Sequence, residues 1–219
     1  MILDFHSHMA SEDSIVCTDT PTALADGQAL MRFVGLLPDK WTEALEDNLY
    51  DKLSSDETLN LGEVGLDRRF QDRIPIEKQI QILRRELSFA IERNRSISLH
   101  CVRATGPMID ILSELRYRPF SILWHGFSGS PETAAQLYRL GVIVSVGPRF
   151  SGERKKIFSA NPMTVLETDY TGTDKNRHLE ILESQYRATE EAIGREKLLM
   201  GCAEALKIFG NNQNIIPSH

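Results

Sequence analysis

The sequence predicts an α/β fold: a compact (β/α)8 TIM barrel whose first βα connection is shortened. Three observations predict it. Eight short apolar runs of strand length recur along 219 residues. Amphipathic, helix-like stretches separate most of them, and such alternation implies parallel strands, because parallel pairing needs a long crossover. No low-complexity stretch, repeat or Gly/Ser- or Pro-rich linker interrupts the chain, so residues 1–219 read as one domain.

The apolar runs are Ile2–Phe5, Ile15–Cys17, Phe33–Leu37, Leu59–Val64, Ile97–Leu99, Ile122–Trp124, Val142–Val146 and Met163–Leu166. Most are rich in β-branched residues, as strands are. In 75–93, Ile76, Ile80, Leu83, Leu87 and Ile91 step by three or four and mark a buried helix face, with Arg84, Arg85, Glu86, Glu92 and Arg93 opposite. Pro75 suits the first helical position. Further helices fit 107–116, 131–140 (with Ser130 as cap), 177–193 and 195–209; Leu179, Leu182, Tyr186 and Ile193 mark the core face of 177–193. Barrels of this kind need roughly 200 residues at minimum, so a helix must be missing. The place is between Phe5 and Leu37, where helical periodicity is faint and Pro21 and Gly27 break the segment. A doubly wound open sheet is the alternative; no GxGxxG follows the first strand, and GEVGLD has the wrong spacing for one.

Lys plus Arg number 25 against 31 Asp plus Glu, a formal charge of −6, which excludes a generic cationic sheath for nucleic acid but not a local basic cleft. No apolar run approaches the roughly 20 residues of a membrane span. The start, MILDFHSHMA, has neither a basic nor an apolar leader region. Three cysteines without a CxxC pair argue against a disulfide scaffold or a thiolate zinc site. The expected setting is the cytoplasm.

Chemistry concentrates at strand ends. His6 and His8 form an HxH pair whose side chains project to one side of a strand. Glu63 ends the fourth run, His100 closes SISLH, His125 closes ILWH and Asp169 follows VLET. Taken singly, each has an ordinary reading: a packed histidine, a solvated carboxylate, a turn residue. Together they fall at the end of the barrel where active sites form. Six titratable groups in one small space call for a counter-ion, and imidazole plus carboxylate suits divalent Zn, Mn, Fe or Mg. Six ligands exceed one tetrahedral site and fit two metals bridged by a carboxylate. His178 and His219 lack such placement and take no role; Cys101 is expected to point away into packing.

Five motifs in order, DFHSH (4–8), GEVGLD (62–67), LHCVRA (99–104), HGFSG (125–129) and ETD (167–169), resemble the TatD family of metal-dependent hydrolases, and CAEALKIF (202–209) resembles its closing helix. The resemblance spans nearly the whole chain. It implies the same barrel, two divalent metal ions and hydrolysis of phosphodiesters, typically as a deoxyribonuclease. By that resemblance His6 and His8 hold the first metal, Glu63 bridges, His100 and His125 hold the second, and Asp169 completes the first and orients or deprotonates the attacking water. Arg103 matches a basic position suited to a phosphate oxygen; Asp67 and Glu167 stand behind the ligating imidazoles. Two departures are visible. The family's histidine-bearing third-strand segment reads GLLPDKW (35–41), leaving Lys40 and Trp41 as candidates for contact there, and Tyr170-Thr171 follow ETD.

Arg68, Arg69 and Arg73, with Arg149, Arg154, Lys155 and Lys156, fall on the same face and together offer a basic surface; each alone reads as a solvated charge. Phe70, Phe127, Phe150 and Tyr170 suit base stacking or rim packing. Three functions stay open: a nuclease or phosphodiesterase on DNA, a hydrolase of a small ester, amide or phosphate, and a metal- or partner-binding protein without turnover.

Overall fold

The computed structural model describes residues 2–22, 27–115 and 121–210. Its strands are β1 (Asp4–Ser7), β2 (Ser14–Thr18), β3 (Met31–Val34), β4 (Leu59–Asp67), β5 (Ile97–Val102), β6 (Ile122–Trp124), β7 (Val142–Val146) and β8 (Val165–Leu166). They lie side by side in chain order, every pair parallel. Just beyond the strand ends, Asp169 N–H donates to His6 O (3.0 Å) and His8 N–H to Tyr170 O (3.0 Å), so the sheet is a nearly closed barrel. The strands are buried almost throughout, as parallel strands covered on both faces must be.

The helices are α1 (Glu43–Ser55), α2 (Ile76–Arg93), α3 (Thr105–Glu114), α4 (Pro131–Arg139), α5 (Arg154–Ala160), α6 (Lys175–Ile193) and α7 (Arg195–Gly210), with a 3-10 turn at Arg68–Phe70. Among the described residues no helix separates β1 from β2 or β2 from β3, so the shortening reaches the second connection as well. No described helix is long and apolar enough to cross a membrane.

Several sequence expectations need correction. Helix α1 was not expected, because its buried positions are Glu46, Leu49 and Leu53, and a carboxylate interrupts the apolar stripe. The seven-residue α5 is too short to show a period, and Arg154, Lys155 and Lys156 form its first turn. Pro75 sits at the N-cap of α2, one position early. Glu86 belongs to the buried face of α2, which also carries Gln79. On α6, Leu182 and Tyr186 face inward as expected, joined by His178, Gln185 and Thr189, while Leu179 is half exposed. The end of 107–116 falls outside the described residues.

Strand β4 runs on to Asp67, so Glu63 lies mid-strand rather than at its end. The register against β5 shifts between Leu61 and Val64, which breaks the alternation there. Two glycines permit this close packing: a Cβ on Gly35 would collide with the backbone of Glu63, and one on Gly65 with the backbone of His100.

Candidate metal centre

The barrel gathers all six expected side chains into one group, five of them at or near the C-terminal ends of their strands and Glu63 from the middle of β4. Glu63 lies at the middle of the group. Its Oε1 is 2.5 Å from His125 Nε2 and 2.6 Å from His100 Nδ1, and those two nitrogens are 3.2 Å apart. Its Oε2 faces the HxH pair, 3.7 Å from His6 Nε2 and 3.6 Å from His8 Nε2. Asp169 Oδ1 closes that half at 4.0 Å from His6 Nε2 and 3.5 Å from His8 Nε2. The rings of His6 and His125 stack at 3.9 Å, joining the halves.

Three of the imidazoles have a group standing behind them. Ser98 Oγ lies 3.2 Å from His6 Nδ1, which turns His6 Nε2 toward the carboxylates. Asp67 Oδ2 is 3.0 Å from His100 Nε2, and Asp67 is itself gripped by the Arg69 guanidinium. Gln79 holds the Asp67 peptide on both sides, accepting from its N–H (2.7 Å) and donating to its carbonyl (3.0 Å). Glu167 lies 3.9 Å from His125 Nδ1, while its carboxylate accepts from Gly126 N–H (2.9 Å) and Ser145 Oγ (2.5 Å). Asp67 and Glu167 thus stand where the sequence expected them. Gln79, Ser98 and Ser145 escaped the sequence reading; the alternation of SISLH, placing Ser98 on the side of His100, was the available signal for one of them.

The electrostatics separate the groups. Burial would push Glu63 up, but His125, His100 and His6 outweigh it and hold the carboxyl well below its ordinary range. Burial also opposes ionisation of Asp169, yet His8 and His6 lower it. Burial, reinforced by His125, drives His6 far down, so its ring is neutral, the ligating form. Burial would lower His8, His100 and His125 too; in them neighbouring carboxylates win and the shift is upward.

A cavity of about 610 Å³ opens above the group, walled in part by Asp19, Arg69, Arg103, Trp124, Phe127 and Arg149. Arg103 is exposed on this wall, and both Arg103 (φ 54°) and Asp169 (φ 51°) adopt the left-handed backbone that non-glycine residues rarely take. Arg149 reaches across to Asp169 Oδ2. The remaining basic residues are diverted: Arg73 binds Asp39 O, Arg154 reaches Gln185 on α6 (2.5 Å), Lys156 pairs with Glu153, and Arg68 and Lys155 do not line the cavity. Lys40 pairs with Asp19 of the cavity wall at 2.5 Å, while Trp41 donates to Glu46 (2.9 Å) and does not line the cavity. Of the aromatics, Phe127 is buried against Trp124, Phe70 and Phe150 lie under Arg69 and Arg154, and Tyr170 packs on His178. Cys101 lines the cavity rather than pointing away, with its thiol pushed up to about 12 by burial. His219 lies outside the described residues.

The donor set fits divalent metal. His6 Nε2 is buried without a hydrogen-bond partner among the described residues, aimed between two carboxylates whose oxygens lie at ligand-to-ligand separations. His6–Glu63–His125 and His6–His8–Asp169 each bring three donors close enough for one ion.

A family model described as TatD related DNase matches residues 8–199. The human Deoxyribonuclease TATDN3 is 30% identical over 177 residues, covering 74% of this chain and 63% of its own length. The uncharacterized metal-dependent hydrolase YabD of Bacillus subtilis strain 168 is 31% identical over 87 residues, 40% of this chain and 34% of its own length. The chain therefore spans less than two thirds of either curated relative. The crystal structure of YJJV, a TatD homologue from Escherichia coli K12, shares the fold with a TM-score of 0.72 at 22% identity, over 93% of this chain and 86% of that one.

Proposed function

The chain belongs to the TatD related DNase family, and on that premise we propose that it hydrolyses phosphodiester bonds of DNA with two divalent ions, Zn, Mn or Mg, held by the cluster around Glu63. His6, His8 and Asp169 would hold one ion and His100 and His125 the other, with Glu63 facing both groups. Bound there, such ions act as Lewis acids on a phosphoryl oxygen and lower the pKa of water toward about 7. Asp169, held ionised by His8 and His6, would orient or deprotonate the attacking water. Arg103, exposed on the wall of the cleft, binds a non-bridging phosphate oxygen with a charge-assisted hydrogen bond. The braced imidazoles keep their ligand nitrogens aimed without reorganising. Three free cysteines suit a reducing cytoplasm as the place of action.

The observation that carries this reading is the partnerless Nε2 of His6 among carboxylates. A buried imidazole nitrogen left so is costly unless a cation completes it. The test is hydrolysis of single-stranded DNA by protein stripped with EDTA and then given Mg, Mn or Zn. Return of cleavage with metal supports the reading. Metal-dependent turnover of small esters or phosphates with none of DNA would move the substrate to that class. Tight metal binding with no turnover on either panel would make this a binding protein.

A further inference from the structure

Two features stand outside the proposed chemistry: His178, which the sequence left without a role, and Tyr170, which departs from the family pattern after ETD. The structure joins them to one buried carboxylate. Asp4, on β1 two residues before His6, is 1% exposed. Its Oδ1 accepts from His6 N–H (3.2 Å) and Thr168 N–H (3.0 Å); its Oδ2 accepts from Thr168 Oγ1 (2.6 Å) and His178 Nε2 (2.7 Å). The Tyr170 ring lies on His178 with centroids 5.6 Å apart, and Tyr170 N–H donates back to Thr168 Oγ1 (3.2 Å).

This network sits on the barrel seam. The HxH pair comes from the first strand and Asp169 from beyond the last, so their spacing depends on how β1 meets the exit of β8. The backbone bonds His6 O–Asp169 N and His8 N–Tyr170 O cross that seam directly after Thr168. Asp4, fully engaged by donors from β1, the β8 exit and α6, fixes the same spacing through side chains. The other half of the centre is held separately, His100 by Asp67 and His125 beside Glu167.

We propose that Asp4, Thr168 and His178 form a positioning device that sets Asp169 against His6 and His8, and so governs metal affinity at that half of the centre alone. The inference rests on the two-metal reading above. A merely structural trio would change stability and leave both metal affinities alike.

The test is titration of metal-stripped protein with Co²⁺, read by visible d–d absorbance and by equilibrium dialysis, for wild type, His178→Leu, His178→Gln and Thr168→Val. Gln keeps a donor where imidazole Nε2 stood. Wild type is expected to take up two ions. His178→Leu is expected to keep one affinity within about threefold and weaken the other roughly 10- to 100-fold. His178→Gln should restore most of that loss, and Thr168→Val should weaken the same ion. His178→Leu with both affinities unchanged, or both weakened equally, would overturn the positioning role while leaving the metal centre standing. Wild type that takes up no Co²⁺ would instead overturn the metal reading itself. If His178→Leu does not fold, Thr168→Val is judged by the same criteria.

Discussion

Asp67 Oδ2 lies 3.0 Å from His100 Nε2, so the far side of one ligand imidazole is held by a carboxylate that is itself held by Arg69 and Gln79. This chain of contacts fixes which nitrogen of His100 faces Glu63. Asp67→Asn keeps the shape and removes the charge. It is expected to lower metal affinity and turnover by roughly 10- to 100-fold, with far-UV dichroism unchanged; unaltered affinity by dialysis would show that Asp67 does not tune His100.

Gln79 makes three buried hydrogen bonds, to the N–H and carbonyl of Asp67 and to the Ile74 carbonyl (2.8 Å). Gln79→Leu has similar volume but strands all three backbone groups. Each stranded group costs about 1–3 kcal/mol, and partial relaxation leaves an expected total of about 3 kcal/mol in urea unfolding. A loss below about 1 kcal/mol would mean that the β4–α2 junction resolvates freely.

Glu86 lies between helices, with Oε1 lacking a partner among the described residues, and its carboxyl is pushed up to about 8 by burial and by Glu46, against the opposing Arg85. The unfolded chain releases this proton near 4.5, the folded chain near 8. Between those values the folded state binds more protons, so stability falls as pH rises through that window. Glu86→Gln removes the cost and is expected to stabilise the protein at pH 8 by on the order of 3 kcal/mol. At pH 4.5 it should change little. Equal effects at both pH values would contradict the shift.

Arg103→Ala is expected to lower kcat/KM on DNA about tenfold, the scale of one charge-assisted contact. The slope of log kcat/KM against log salt should also become shallower by about one unit, as one phosphate contact is lost. A wild-type salt slope would place Arg103 outside the substrate path.

Much of this was legible in the sequence because it rests on local chemistry. The eight apolar runs all became strands, and every ligand candidate reached the same mouth, since parallel strands deliver their ends to one face. What was not legible depends on which neighbour a side chain meets. A buried Glu86 looks like a surface residue until α1 and Glu46 are placed beside it. His178 breaks the apolar phase of α6 because its partner, Asp4, lies 174 residues away. The basic residues of 149–156 divided in the same way: Arg149 reaches the cleft, while the start of α5 turns Arg154 toward Gln185.

The most direct measurement is metal content set beside activity for wild type and Glu63→Ala, both stripped and then reloaded with Mn. Glu63 touches both halves of the cluster, so wild type should bind two ions per chain and cleave DNA only when loaded. Glu63→Ala should stay folded, fail to hold the pair and lose turnover by at least about 10³-fold, the scale of removing a principal catalytic group. A folded Glu63→Ala that keeps two ions and cleaves at the wild-type rate would contradict the account.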